Sequence, residues 1–277
     1  MVGGVLVASA IVGAIVWAQK SARSRPAAPT RVVDKHDPPP VVTPTPRPAR
    51  VPMRRDAGVS RPGHPDPDTV FAVPVDAFTD PIDGKSDALV TIVEAAEFGC
   101  PFCRRVHDTM KQVKQIYGDD VRIVWKNFVV HPNLATHAAQ AACAAHRQGQ
   151  FLPYQDALWT AAWGPGTARN MAALEPTALD ALAGTLGLDV AQFAQDRDSA
   201  ACADDLRADQ ELMKRVGTNG TPSFYINGRH LSGAQPLDRF RALIDEELAI
   251  ARKAVAAGIP QDQYYDSVVA SGQTKFP

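Results

Sequence analysis

The hydrophobic and polar positions of the chain follow two periods, which predict strands in some stretches and helices in others. Residues 88–98 form a run rich in β-branched side chains and residues 121–128 form a second, so each predicts a buried strand. Between the two runs, apolar residues recur at helical spacing, namely Val106, Met110, Val113 and Tyr117. A strand, a helix and a second strand at this spacing predict a βαβ unit whose two strands are parallel.

A second set of elements is predicted further along the chain. The pattern over residues 133–216 is alanine-rich and helical, which predicts a helical insertion. Residues 221–228 and 229–235 then predict two strands around an Asn-Gly turn, followed by an amphipathic helix over residues 237–257. The predicted fold class is therefore α/β, with a βαβ half, an inserted helical domain and a ββα half.

Two shorter stretches flank this folded body. Residues 70–75 (VFAVPV) form a β-like run that Pro74 interrupts, so we expect an edge strand where the domain begins, near Phe71. We expect residues 258–277 to form a loosely attached C-terminal tail. The predicted domain therefore covers residues 71–257.

The chain begins with seventeen uncharged, mostly apolar residues, Val2 to Ala18. A bilayer-spanning helix needs about 20 apolar residues, within a range of roughly 17–25. The residues that follow make a poor cleavage site, so we expect residues 1–19 to be a transmembrane anchor or an uncleaved signal. Residues 20–70 are rich in proline and arginine and lack apolar periodicity, which predicts an extended, disordered spacer.

The charges beside the apolar run leave its orientation open. Lys20, Arg23 and Arg25 follow the run, and the positive-inside rule would then place the folded domain in the cytoplasm. A start codon assigned too far downstream, which would hide a basic segment, explains the same pattern.

Composition excludes some classes of function. The chain has 277 residues, a net charge of -1 and 45% hydrophobic residues, which supports one core of ordinary size plus appendages. Near-neutral charge argues against a nucleic-acid-binding protein, because the phosphate backbone favours a strongly basic face. Four cysteines are too few for a scaffold built from disulfides.

Two of the cysteines, Cys100 and Cys103, form a CPFC motif between the first predicted strand and the helix after it. The backbone N–H groups and the dipole at a helix N-terminus favour an anion and lower a cysteine pKa from about 8.5 into the range ~3.5–7.5. Cys100 is therefore the candidate nucleophilic thiolate, and Cys103, one turn later, is the candidate resolving thiol. Pro101 suits the first helical turn because its missing N–H would have no partner there.

Three other interpretations of the pair are weaker. A zinc site needs four ligands, and only His107 stands at a suitable spacing beside the pair. Haem attachment requires a histidine directly after the second cysteine, where this chain has Arg104. A purely structural disulfide at a helix start would be strained and would stabilise little.

The combined motifs resemble the DsbA family of thioredoxin-fold thiol–disulfide oxidoreductases. Three stretches carry the resemblance: VTIVEAAEFGCPFC, HPNLATHAAQAACAAHRQGQFLPYQDALW and VGTNGTPSFYING. It implies a thioredoxin fold, with Cys100 as nucleophile and Cys103 as resolving thiol. It also implies that Pro222, after Thr221, is a cis-proline facing the pair, and that Glu94 is a buried acid near it.

The chain departs from the family pattern in the dipeptide between the two cysteines, Pro101-Phe102. Phe102 stands where the best-known member has histidine, and it cannot donate a hydrogen bond to the Cys100 thiolate. We therefore expect a weaker oxidant than a Pro-His dipeptide would give. Glu97 stands where many relatives have aspartate, and we expect its side chain to be exposed. His131, before Pro132, is expected near the rim of the site, where loop geometry is the simplest explanation for it.

The other two cysteines, Cys143 and Cys202, both lie in the helical insertion. Separate free thiols are uncommon in the oxidising compartment that the resemblance implies, so we expect a structural disulfide between them. Buried free cysteines and a second redox-active pair remain as alternatives.

The resemblance implies a single-pass inner-membrane protein whose catalytic domain lies in the periplasm and forms disulfides in other proteins. Oxidase chemistry and a second disulfide both need an oxidising compartment, so we expect this location despite the charges beside the anchor. The implied partners are unfolded or partly folded proteins with free thiols and a membrane thiol oxidase or reductase, with no cofactor or metal. A reductase or isomerase is the first alternative, because redox potential sets the direction. A tethered binding module is the second, although it would not need an intact CxxC.

Overall fold

The computed structural model of the protein describes residues 66–164 and 169–277. The expected anchor at residues 1–19 and the spacer up to residue 65 lie outside the described residues. Within the described ranges, no helix is both long and apolar enough to cross a membrane. The spacer was expected to run to residue 70, but residues 66–70 already contact the domain, since Asp68 forms an ion pair with Arg229 at 2.8 Å.

The sheet of the described chain has five strands in the order β1-β3-β2-β4-β5. They are β1 (Ile82–Asp83), β2 (Val90–Ala96), β3 (Val121–Asn127), β4 (Ser223–Ile226) and β5 (Arg229–Ser232). Strands β2 and β3 pair in parallel, and the other pairs are antiparallel. The parallel pair confirms the predicted βαβ unit.

Eight α-helices are described. They are α1 (Pro101–Tyr117), α2 (Pro132–Arg147), α3 (Phe151–Trp163), α4 (Pro176–Thr185), α5 (Val190–Arg197), α6 (Ala200–Arg215), α7 (Leu237–Ala256) and α8 (Tyr264–Ala270). Helix α1 connects β2 to β3, helices α2 to α6 form the predicted insertion, and α7 follows the β4–β5 hairpin.

The two faces of the sheet have separate cores. Val90 and Ile92 of β2 pack against buried residues of α1 and α7, among them Met110 and Ile244. On the other face, Val93 and Ala95 pack with a different set, which includes Met213 of α6. This alternation is the period-2 pattern of the strand, and it places Glu94 on the same face as Val90 and Ile92.

The insertion has a third core built around alanines of α2. Ala138, Ala141, Ala142 and Ala145 are buried against aromatic residues that include Trp159. Their small side chains let α2 lie close to its neighbours, and the bulk of the core comes from the aromatic residues. The alanine-rich pattern therefore marks a packed helical domain.

The predicted hairpin turn is confirmed at Asn227 and Gly228. Both residues have positive φ, 43° and 80°, which is the backbone of a two-residue type I′ turn and explains the Asn-Gly sequence. A side chain at Gly228 would also collide with the carbonyl oxygen of Phe71, 2.6 Å from the position of an added Cβ.

The expected edge strand at residues 70–75 is wrong. In the described structure, only Val70 and Phe71 form bridges there, to Arg229 and Gln273 respectively. Pro74 has no N–H for a ladder. The sheet edge beside β3 is formed instead by β1, a two-residue strand further along the chain.

The expectation of a loosely attached tail at residues 258–277 is also wrong. Tyr264 and Val268 of α8 are buried in the core that contains Val90 and Ile92, and Tyr265 is buried in the core on the other face of the sheet. Near the end of the chain, Phe276 stacks on Phe71 with ring centroids 5.9 Å apart. The tail therefore packs against the cores on both faces of the sheet.

Candidate active site

The CPFC motif lies where β2 ends and α1 begins. Cys100 is the N-cap residue of α1, and Pro101 is the first residue of the helix. Only 3% of Cys100 is exposed, and Cys103, one turn later, is fully buried. Both are thiols in this structure, so one sulfur lies at the rim of the domain and the other lies beneath it.

The two thiols have opposite acidities. The pKa of Cys100 is lowered to about 6, first by a hydrogen bond with the Cys103 thiol and then by contacts with Thr221 and with N–H groups of the first helical turn. The pKa of Cys103 is raised well above its usual value, chiefly by burial. A thiolate at Cys100 and a protonated thiol at Cys103 are the roles expected of a nucleophile and a resolving thiol.

Thr221 and Pro222 face the pair from the other half of the domain. The Thr221–Pro222 peptide bond is cis, and the Cys100 thiol donates a hydrogen bond to the Thr221 carbonyl oxygen at 3.4 Å. The β2–β4 ladder ends at the pair Ala95 and Ser223. Thr221 and Pro222 therefore lie just beyond the sheet, beside Cys100.

Glu94 lies inside the domain, on the central strand β2. Only 4% of the residue is exposed, and burial raises the pKa of its carboxyl to about 8. Its charge in turn contributes to the raised pKa of Cys103. The structure thus places a buried acid behind the resolving thiol, as the resemblance implied.

The expected exposure of Glu97 is wrong, since the residue is fully buried. Its carboxylate accepts hydrogen bonds from the backbone N–H groups of Val130 at 2.9 Å and His131 at 3.1 Å, and it contacts the His131 ring. The loop after β3 needs an acceptor for these N–H groups, and Glu97 supplies it. The contacts between Glu97 and His131 therefore hold this loop against the segment that carries Cys100.

Phe102 presents an apolar surface beside the thiols. The residue is 51% exposed, and the Arg105 guanidinium lies over its ring at 5.0 Å from the centroid. Arg104 forms an ion pair with Asp108 at 2.9 Å. The two arginines thus have partners within α1, and Phe102 is left as a contact surface next to Cys100.

Cys143 and Cys202 form a disulfide that joins α2 to the start of α6, with Cα atoms 5.8 Å apart. It lies within the helical insertion and contains neither thiol of the CPFC motif. It links two helices across 59 residues of sequence.

Sequence reasoning missed one polar group behind the site, formed by His107, Asp156 and Lys111. His107 Nε2 lies 2.7 Å from Asp156 Oδ1, and Lys111 Nζ lies 2.8 Å from the same oxygen. The sequence pointed to His107 in part, because this residue is four positions after Cys103 and so lies on the same face of α1. Nothing in the sequence marked Asp156 as its partner. No metal-binding group of three or more His, Cys, Asp or Glu side chains occurs among the described residues.

Comparison with known proteins places the chain in a family. The profile of the family described as Thioredoxin matches residues 76–246, well over half of the chain. The curated relatives include a Na(+)/H(+) antiporter NhaA of Herminiimonas arsenicoxydans, 33% identical over 64% of this chain and 27% of that protein. Another is NhaA 3 of Salinispora tropica, 31% identical over 69% of this chain and 28% of that protein. The chain spans about a quarter of the length of these relatives.

Solved structures share the fold. A thioredoxin-like oxidoreductase from Silicibacter pomeroyi matches with 25% identity and a TM-score of 0.55, over 64% of this chain and 94% of that one. BdbD from Bacillus subtilis matches with 21% identity and a TM-score of 0.56, over 66% of this chain and all of that one. Alpha-DsbA1 from Wolbachia pipientis matches with 20% identity and a TM-score of 0.55, over 67% and 96%. The expected thioredoxin fold is confirmed, and the chain belongs to the thioredoxin family.

Proposed function

We propose that this protein is a thiol–disulfide oxidoreductase that transfers a disulfide from Cys100–Cys103 to dithiols of other proteins. The observation that carries the proposal is the contrast between the two thiols beside Thr221–Pro222. Cys100, with a pKa of about 6, is ionised near neutral pH, while burial keeps Cys103 protonated. Such a contrast suits a pair that forms and releases mixed disulfides.

The reaction follows from these positions. A substrate thiolate attacks Cys100 Sγ of the Cys100–Cys103 disulfide, forming a mixed disulfide and releasing Cys103 as a thiolate, which takes up a proton. A second substrate thiolate then attacks the substrate sulfur and releases Cys100 as a thiolate. The substrate loses two electrons and the protein gains them. The low pKa of Cys100 makes it a good leaving group in the second step.

The substrate would bind as an extended segment beside Thr221 and Pro222. Thr221 lies beyond the end of the β2–β4 ladder, so its backbone can pair with an added strand. Pro222 has no N–H, and its carbonyl oxygen already accepts a hydrogen bond from Gly233 at 2.9 Å. Phe102, two residues after Cys100 and half exposed, offers an apolar contact. Unfolded proteins expose apolar side chains and extended backbone, and both features match this surface.

We further propose that the chain works outside the cytoplasm, tethered to the inner membrane through residues 1–19, and that a membrane thiol oxidase returns it to the disulfide form. The Cys143–Cys202 disulfide supports an oxidising compartment. The similarity to the Silicibacter pomeroyi protein, a thioredoxin-like oxidoreductase, supports redox chemistry of this kind.

A disulfide reductase or isomerase is the second candidate, and Phe102 favours it. The most strongly oxidising pairs have a nucleophile pKa near ~3.5, well below the value of about 6 for Cys100. A pair of intermediate potential could rearrange wrong disulfides as well as form new ones.

The test is stoichiometric oxidation of reduced, unfolded ribonuclease by the pre-oxidised protein in the absence of any other oxidant. The protein should remove two substrate thiols per molecule, and Cys100→Ser should remove none. The double variant Cys143→Ala/Cys202→Ala should retain the wild-type yield, since that disulfide is not the reactive one. If Cys100→Ser promotes refolding as well as the wild type, the protein is a binding module. Recovery of activity from scrambled ribonuclease would favour the isomerase.

A further inference from the structure

A cavity of about 320 Å³ lies behind the redox pair, between α1, α3 and the edge of the sheet. Its polar lining includes Asp83, Glu94, His107, Lys111, Gln155 and Asp156. This volume is large enough for water, which needs only about 10–15 Å³ and two to four polar partners. The cavity can therefore hold water between the interior of the domain and the surface at α3.

Glu94 depends on this cavity for contact with solvent. The residue is 4% exposed, and no group in the described part of the chain hydrogen-bonds its carboxyl. A buried carboxyl that gives a proton to Cys103 must recover it from elsewhere. The cavity is the route that the described structure provides.

His107 stands at the other side of the same cavity. It is 9% exposed, and its Nε2 lies 2.7 Å from Oδ1 of Asp156, whose side chain is 49% exposed. Lys111 Nζ holds the same carboxylate oxygen at 2.8 Å. The imidazole therefore connects the cavity to a carboxylate at the surface.

The charged groups around His107 favour exchange of its proton. Burial lowers the pKa of His107, and the positive charges of Lys111 and Arg104, also on α1, lower it further. The hydrogen bond and the charge of Asp156 raise it. Asp83 from β1 and Lys114 from α1 also line the cavity, but Lys114 is held by the carbonyl oxygens of Gly118 and Val121. A neutral imidazole next to a carboxylate can take a proton and release it.

We propose that His107, held by Asp156, is a second proton carrier of the redox site and exchanges protons between Glu94 and solvent through water in the cavity. This rests on the proposed disulfide-exchange function.

The proton balance is as follows. When a substrate thiolate attacks Cys100, the departing Cys103 thiolate takes the proton of the Glu94 carboxyl. His107 takes a proton from solvent beside Asp156 and passes one through water in the cavity to the Glu94 carboxylate, so the imidazole is neutral again at the end. When the pair is reoxidised, the proton of Cys103 leaves by the reverse route.

The test compares His107→Gln with the wild type in the reduction of the oxidised protein by dithiothreitol, followed by stopped-flow tryptophan fluorescence. Glutamine can keep a hydrogen bond to Asp156 but cannot carry a proton at neutral pH. We expect the variant to react roughly 10-fold more slowly, below the ~10²–10⁴-fold effect of a direct acid–base group. The solvent isotope effect should grow, and the pH dependence should change. His146→Gln, a histidine on α2 that contacts Phe78, should react at the wild-type rate.

Two further measurements separate proton transfer from structure. His107→Ala should recover rate when imidazole is added, and both His107 variants should keep the wild-type titration of the Cys100 thiolate. Wild-type rates in His107→Gln, or a slow variant whose isotope effect is unchanged and which imidazole does not restore, would overturn the proposal. If the wild-type protein itself failed to exchange with the dithiol, the proposed function would fail instead.

Discussion

At Cys100 and Cys103, one type of side chain has two acidities because the two sulfurs have different surroundings. Cys100 lies at a helix start and is contacted by Cys103, by Thr221 and by backbone N–H groups that favour its thiolate. Cys103 lies inside the core, where burial disfavours a charge. Glu94, also buried, adds to that effect at the pH values where its own carboxyl is ionised. The direction of attack therefore follows from solvation, since only the outer sulfur is both ionised and reachable.

The first prediction concerns the reactivity of Cys100. The rate at which iodoacetamide alkylates Cys100 should rise with pH and reach half of its maximum near the pKa of about 6. Mass spectrometry of the reduced protein measures this rate. Cys103→Ala should move the midpoint upward, because the hydrogen bond with Cys103 is the largest contribution to the low pKa. A midpoint near ~8.5, the value of an ordinary cysteine, would contradict this assignment.

The second prediction concerns the stability cost of Glu94. Burial raises its pKa from 4.5 to about 8, so the folded state keeps a proton that the unfolded state releases. Stability is therefore lost as pH rises from about 4.5 to about 8, and the cost reaches about 3 kcal/mol at pH 7. Glu94→Gln removes this dependence and should become progressively more stable than the wild type over that range.

Urea denaturation at several pH values measures the difference. Glu211→Gln, an exposed residue of α6, is the matched control and should follow the wild type at every pH. A constant difference between Glu94→Gln and the wild type across the range would show that Glu94 is not a buried, protonated acid.

At the level of elements, strand register brings the site together. The β2–β4 ladder ends at Ala95 and Ser223, so the segments that follow β2 and precede β4 emerge at the same edge of the sheet. The first carries Cys100 and the second carries Pro222. Neither element forms the site alone, because the βαβ half supplies the thiols and the ββα half supplies the backbone beside them.

The third prediction concerns the link between α2 and α6. The Cys143–Cys202 disulfide closes a loop of 59 residues, and the chain-entropy model assigns such a loop between ~3 and ~4.7 kcal/mol. The double variant Cys143→Ala/Cys202→Ala should lose about that much free energy of unfolding while it keeps thiol exchange. Denaturant titration of both proteins without reductant measures the loss. A loss below about 1 kcal/mol, or a loss of exchange activity, would give the disulfide a different role.

At the level of the whole molecule, the features that the sequence predicted are those carried by local patterns. The strand on each side of the CPFC motif, the Asn227-Gly228 turn and α7 follow from periodicity and turn residues, and the structure has them. The resemblance added the place of Pro222, which no local pattern would have assigned.

The expectations that were wrong concern features that depend on contacts between residues far apart in the sequence. Glu97 is buried because a loop more than thirty residues later needs an acceptor for its N–H groups. The end of the chain is packed because Phe71 and the core offer a surface to Phe276 and α8. A polar residue after a strand and a short C-terminal stretch look like exposed segments until their partners are placed in space.

The measurement that tests the central claim most directly is the redox equilibrium of Cys100–Cys103 with glutathione. The low pKa of Cys100 stabilises the reduced form, while Phe102 adds no hydrogen bond to the thiolate, so we expect an oxidising pair of intermediate strength. The account predicts a potential above about −200 mV, more oxidising than typical glutaredoxins. A potential near about −270 mV, that of thioredoxin itself, would contradict the assignment of the protein as a donor of disulfides.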